Sequence, residues 1–206
     1  MLGQFFKKNT IMSGIYFVII ILILAVVAYG IYHIYCNLYW KNHKLDNFPF
    51  IHKGKMFWYS RSCATTLFVF CKDQNGVLHV LANKRGKGVP DFQGYWNAPC
   101  GYLQFDVSGE ENAQTEVWEE TGIFVPKSHI KFWKAVSDPS QNKQNVSLKY
   151  WAMLDGICES YTFSTDNMED EEVEEIAWVP VENVDILKWA FDHNNDITAL
   201  KDIVTQ

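Results

Sequence analysis

Three acids at helical spacing, Glu116, Glu119 and Glu120, are the most chemically suggestive residues of this 206-residue chain. At about 100° per residue, Glu116 and Glu120 lie roughly 40° apart and Glu119 lies roughly 60° to the other side, so all three carboxylates share about 100° of one helix face. Like charges at i, i+4 destabilise a helix by about a few tenths of a kcal/mol. Glu119 and Glu120 also fall in the last turn, where the negative end of the helix dipole disfavours anions. A purely structural helix gains nothing from this arrangement. A divalent cation reverses the sign, and clustered hard oxygens suit Mg²⁺ or Mn²⁺, which keep some waters and bridge to phosphates. Taken alone, the three acids fit either a metal site or a solvated acidic face.

The elements that must position these acids are legible around them. Ser108 and Glu111 form an S-x-x-E capping box, Ala113, Val117 and Thr121 share one face at i, i+4 and i+8, and Gly122 stands where a helix-terminating glycine belongs. Residues 63–71 (CATTLFVFC) and 77–82 (VLHVLA) flank Asn75-Gly76 and predict a β-hairpin. Residues 84–91 (KRGKGVPD) form a Gly- and Lys-rich loop, and 95–103 a short strand interrupted by Pro99 and Gly101. Further strands are expected over 130–136, 146–154 and 176–179. Asn194 or Asn195 is expected to cap a final helix with Ile197, Leu200 and Ile203 inside, which leaves His193 at the surface or in the cap. Strands with one central and one terminal helix predict a mixed α/β domain.

The N-terminus is a different material. From 14 to 32 every residue is apolar, aromatic or Gly, and neither Lys, Arg, Asp nor Glu occurs between Lys8 and Lys41. Nineteen helical residues span about 29 Å, the thickness of a hydrocarbon core. Tyr29, Tyr32, Tyr35, Tyr39 and Trp40 crowd one end like an interfacial belt. The expected organisation is an N-terminal tail and transmembrane helix over 1–36, a basic juxtamembrane linker over 37–55 and a catalytic-type domain over 56–206. A lipid bilayer is then a partner through residues 14–35. A cleaved signal peptide and a buried core helix are the alternatives. Lys41, Lys44, Lys53 and Lys55 against Lys7 and Lys8 slightly favour a cytoplasmic C-terminal domain in a single-pass membrane protein.

Charge divides along the same line. Residues 1–61 carry seven Lys/Arg against one acid, and 62–206 carry eleven against twenty-three, or about +6 and −12 within the net −6. That balance argues against a nucleic-acid binder working through net charge. The five cysteines, Cys36, Cys63, Cys71, Cys100 and Cys158, are odd in number and include no C-x-x-C pair. They offer neither a disulfide framework nor a zinc signature.

The stretch Gly101-YLQFDVSGEENAQT-Glu116-VW-Glu119-Glu120-T-Gly122-Ile123 resembles the box of the Nudix hydrolase family: G, five residues, E, seven residues, then R-E-U-x-E-E-x-G-U. Gly101, Glu116, Val117, Glu119, Glu120, Gly122 and Ile123 match at the required spacing. Trp96-N-A-Pro99-C-Gly101 is similar to the family's W-x-x-P-G-G approach, and 177–180 (AWVP) to a segment after its last core strands. Two positions depart: the box's first Glu is Val107 and its Arg is Thr115, with Asp106 one residue away. The family's Arg and Glu help hold the catalytic loop and helix. Their joint replacement by neutral residues leaves no unpaired charge.

The resemblance implies an α/β/α sandwich with a mixed sheet, preceded by a single transmembrane helix. It implies a pyrophosphohydrolase that cleaves the diphosphate linkage of a nucleoside diphosphate derivative, with Glu116, Glu119 and Glu120 as catalytic and metal-holding residues. Glu172, in the acidic run 166–175, is the expected further metal ligand, and Mg²⁺ or Mn²⁺ the cofactor. Lys84, Arg85, Trp96 and Gly101 are the expected substrate-binding residues, with Phe92 a second base-stacking candidate. A nucleotide-type small molecule is the expected substrate. A catalytically weak nucleotide-binding or interaction module is the alternative that Val107 and Thr115 leave open.

Overall fold

The computed structural model describes residues 16, 18–35, 48–142, 144–164, 166 and 171–205. The tail over 1–15 with Lys7 and Lys8, Cys36, the first part of the expected linker (37–47) and positions 167–170 of the acidic run lie outside the described residues. The chain divides into two compact units, Met1–Ser60 and Arg61–Gln206.

In the first unit, helix α1 spans Val18–Tyr35 with a mean hydropathy of 2.4. Its length and composition suffice to cross a membrane, and its side chains are unburied. The expected linker contains structure of its own. Strands β1 (Phe48–His52) and β2 (Lys55–Tyr59) pair antiparallel in register His52↔Lys55 to Phe48↔Tyr59. Residues 56–59 thus belong to this hairpin.

The second unit is built on β3 (Ser62–Lys72), whose residues 65–71 are buried without a break. Such a run belongs in the middle of a sheet covered on both faces. Its side chains alternate: Leu67, Val69 and Cys71 enter one core, while Phe68 and Phe70 enter the other. β4 (Leu78–Arg85) returns antiparallel through a turn closed by the Asp73 and Val77 main chains. β5 (Trp96–Asn97) pairs with β4, and β6 (Cys100–Tyr102) with β3, so Pro99 divides the expected single strand into two. β7 (Lys131–Val136) and β8 (Asn145–Ile157) form an antiparallel pair, and β8 lies parallel to β3. β9 (Val173–Pro180) closes against β4. One parallel pairing among antiparallel ones makes the seven-stranded sheet mixed.

Two helices cover the sheet, one on each core. α2 (Gly109–Thr121) buries Ala113, Val117 and Thr121 against Leu67, Val69, Leu81 and Ala152. Its N-terminus is the expected capping box: the Ser108 hydroxyl accepts from the Glu111 main chain, and the Glu111 carboxylate accepts from the Ser108 N–H at 3.0 Å. Gly122 ends it at φ 73°, where a side chain would also meet the Ser164 main chain. α3 (His193–Val204) packs Ile197 and Leu200 on Phe68, Phe70 and Trp189. It departs from expectation at both ends. Asp192, in the left-handed region at φ 56°, precedes it in place of an Asn194 or Asn195 cap, and Ile203 is partly exposed. Asp196 and His193 take the inner positions instead. Asp196 can be buried because the Lys149 and Lys134 ammonium groups both pair with it. His193 is not a surface residue: its ring lies 5.3 Å from Phe68, and its Nδ1 accepts from the Ala98 N–H. Burial and the neighbouring Lys149 charge hold it well below the imidazole range, and neutral.

The capping box carries a pH dependence. The Lys127 ammonium, 2.5 Å away, and the Ser108 N–H hold the Glu111 carboxyl at about 2. A depressed carboxyl contributes stability that is complete above its unfolded value near 4.5 and is lost as pH falls through about 2. Glu111→Gln should therefore lower stability at neutral pH and flatten the acid limb of a stability-against-pH curve in that window. Denaturant titrations at several pH values measure this.

Candidate active site

The acids foreseen on the helix converge on one side of the sheet. Glu116 and Glu120 lie on α2, over the ends of β6 and β4. Gly101 on β6 makes room for Glu116: a Cβ there would overlap its carboxylate. Asn112, one turn earlier, donates to Glu116 Oε1 at 3.3 Å. Glu120 is half-buried but densely surrounded. Its Oε2 accepts from Asn83 Nδ2 of β4 at 2.8 Å, and the Cys100 main-chain N–H donates to the same carboxylate.

Burial pushes the Glu120 carboxyl well above the usual carboxylate range, and the charges of Glu116 and Glu172 add to the push. Two hydrogen bonds to it act in the opposite direction and are outweighed. Glu172 therefore sits within electrostatic reach of the helix acids from the segment leading into β9. Glu119 is half-buried on the next position of α2. Among the described residues, no three His, Cys, Asp or Glu side chains come close enough to cage an ion. The charges of Glu116 and Glu172 both act on Glu120.

The expected substrate-binding residues are less uniform. Lys84 Nζ is bound to Glu174 Oε1 at 2.7 Å across the β4–β9 pairing. Arg85 donates through Nε to the Asp91 carbonyl and through Nη2 to its carboxylate, and its guanidinium lies 5.0 Å from the Phe191 ring. Both cations are engaged within the protein. Trp96 is a packing residue. It lies against the α3-side core, and its main chain bonds Lys188 and Ala190. Phe92 packs edge-on to Tyr95 and Phe191. Cys100 stays a thiol: burial and the Glu120 charge push it up to about 12. A cavity of about 310 Å³ lies among Asp73, His79, Cys158, Tyr161 and Trp178, and none of the candidate acids lines it.

Two buried asparagines, Asn83 and Asn112, were not foreseen. Neither occupies a position of the box pattern. The available signal was weak: a polar amide just after the 77–82 run, and another on the inner face of α2 beside Ala113.

The NUDIX domain family model matches residues 62–200, two thirds of the chain. The chain belongs to the Nudix family. Solved structures agree on the fold. The NUDIX domain of Shewanella oneidensis NrtR, solved with ADP ribose, is 20% identical, with a TM-score of 0.59 over 82% of this chain and 97% of that one. A Caenorhabditis elegans Ap4A hydrolase in a binary complex is 14% identical, with a TM-score of 0.53 over 70% and 98%. A bifunctional NMN adenylyltransferase/ADP ribose pyrophosphatase from Francisella tularensis, solved with AMP and a Mn ion, is 17% identical, with a TM-score of 0.56 over 85% of this chain and 47% of that one. At these identities the likeness is one of fold. The α/β/α sandwich with a mixed sheet is thus the Nudix fold.

The Gly101–Glu116 contact makes a sharp prediction. Gly101→Ala should leave circular dichroism near that of the parent and displace the Glu116 carboxylate. The expected loss in turnover of a diphosphate-linked nucleotide is about 100-fold, the scale on which misplacement by an ångström acts. Paired melting and rate measurements separate this from unfolding.

Proposed function

We propose that this Nudix protein is a metal-dependent pyrophosphohydrolase that cleaves the diphosphate linkage of a nucleoside diphosphate derivative while tethered to a membrane by α1. The observation that carries the reading is the convergence of acids on one side of the sheet: Glu116 set against Gly101, Glu120 held by Asn83 and the Cys100 N–H, and Glu172 within electrostatic reach. Hard oxygens gathered in this way suit a divalent cation.

Glu116, Glu119, Glu120 and Glu172 are the residues that would hold Mg²⁺ or Mn²⁺. When bound, such an ion neutralises diphosphate oxygens and lowers the pKa of a water for attack on phosphorus. The chain's own part is to orient these acids. Asn83 Nδ2 and the Cys100 N–H fix the inner edge of the Glu120 carboxylate, and the missing Cβ of Gly101 lets Glu116 approach the β6 main chain. Lys84 and Arg85 would reach substrate phosphates only by exchanging Glu174 and Asp91 for them. ADP-ribose and dinucleoside polyphosphates, the ligand classes named for fold relatives, are the first substrates to test.

The test uses the full chain in detergent with a panel of nucleoside diphosphate derivatives, with and without Mg²⁺ or Mn²⁺. Metal-dependent release of a nucleoside monophosphate is expected, and Glu120→Gln should lower kcat at least about 100-fold. An inert parent, or a variant as active as the parent, overturns the reading. The neutral Val107 and Thr115, together with the internally paired Lys84 and Arg85, favour a second reading, a nucleotide-binding module without turnover. Ligand binding without product would identify it.

The tether rests on the length and apolarity of α1 and on the basic first 61 residues. The expressed full chain should stay in the membrane pellet after an alkaline carbonate wash. Recovery in the supernatant, or a mature N-terminus beyond residue 28, overturns the tether.

A further inference from the structure

Asn112 lies in the second turn of α2 with 1% of its surface exposed. A buried amide is costly unless its donors and acceptor are met. Here they are met by three separate elements. Asn112 Oδ1 accepts from the Gln104 N–H, in the loop after β6, at 3.0 Å. Its Nδ2 donates to Thr65 Oγ1 of β3 at 2.8 Å and to Glu116 Oε1 at 3.3 Å. The amide orientation is dictated by these partners, because a main-chain N–H can only donate and a carboxylate can only accept. Thr65 is itself fully buried and opposite Gly101 in the β3–β6 register. Gly101 in turn is the residue whose missing Cβ admits the Glu116 carboxylate. Loop, strand, helix and carboxylate thus meet at one side chain.

The charged residues that could have made this junction are absent, since 107 is Val and 115 is Thr. We propose that Asn112 is the positioning residue of the site: a neutral clasp that locks the 103–107 loop to α2 and aims Glu116. Its neutrality has a consequence. An Arg or Lys at the same place would hold Glu116 by cancelling its charge. An amide holds it by hydrogen bonding and brings no cancelling charge of its own. The clasp rests on the reading of Glu116 as a metal ligand, but its junction of loop and helix does not depend on turnover.

The experiment compares the full-length chain in detergent with Asn112→Ala, which removes all three bonds, and Asn112→Asp, which keeps only the acceptor for Gln104. Hydrogen exchange of the Gln104 amide is the first readout, and Mn²⁺ affinity by titration is the second. In Asn112→Ala, exchange at Gln104 should accelerate at least tenfold and Mn²⁺ should bind about tenfold more weakly. In Asn112→Asp, Gln104 should stay protected. Unchanged exchange in Asn112→Ala, lost protection in Asn112→Asp, or parental Mn²⁺ affinity in Asn112→Ala overturns the clasp. If Asn112→Ala does not fold, the Asp variant still decides the loop contact. A parent that binds Mn²⁺ yet hydrolyses nothing overturns the hydrolase reading alone. A parent that binds no Mn²⁺ overturns both.

Discussion

Burial and repulsion around one carboxylate organise this molecule's functional half. Desolvation drives the Glu120 carboxyl well above its usual range, and the charges of Glu116 and Glu172 add to the push. Glu120 is met by the Asn83 amide and the Cys100 main-chain N–H, and Glu116 by the Asn112 amide. The basic side chains Lys84 and Arg85 pair with Glu174 and Asp91.

The fold supplies the rigidity this repulsion requires. β3 is buried on both faces, so helices pack on either side of it and neither can drift without opening a core. α2 is pinned at its start by the Ser108–Glu111 box and at its end by Gly122, and its inner face is filled by Ala113, Val117 and Thr121. The acids are therefore held by the packing of the adjacent face of their own helix. On the far face, His193 and the Lys149–Asp196 pair are buried groups of the same chemical types, and they have a different role. They join α3 to the sheet, with every charge countered and the imidazole neutral.

Much of the site was readable from spacing because helical geometry is local. Three acids at 116, 119 and 120 share a face in any α-helix, and the capping box and the terminal glycine mark its ends by main-chain chemistry alone. The β3–β4 hairpin was readable for the same reason. Lys84 and Arg85 were not, because their partners, Glu174 and Asp91, come from a strand pairing and a loop closure that no local pattern encodes. His193 read as a surface or cap residue until α3 packed against the sheet and its Nδ1 met the Ala98 N–H. The basic stretch after α1 read as a linker, although residues 48–59 pair into a hairpin.

By itself the sequence determined that a long apolar helix precedes a separate acidic domain, and that the acids at 116, 119 and 120 share one helix face. Both follow from period and composition, which act over a few residues. Only the tertiary structure decided what those acids face. It brought Glu172 within reach of Glu120 from more than fifty positions away, placed Gly101 beneath Glu116, and set Asn83 and Asn112 as the donors that hold them. Such contacts depend on strand register and on helix–sheet packing, and these are fixed by the burial of whole faces.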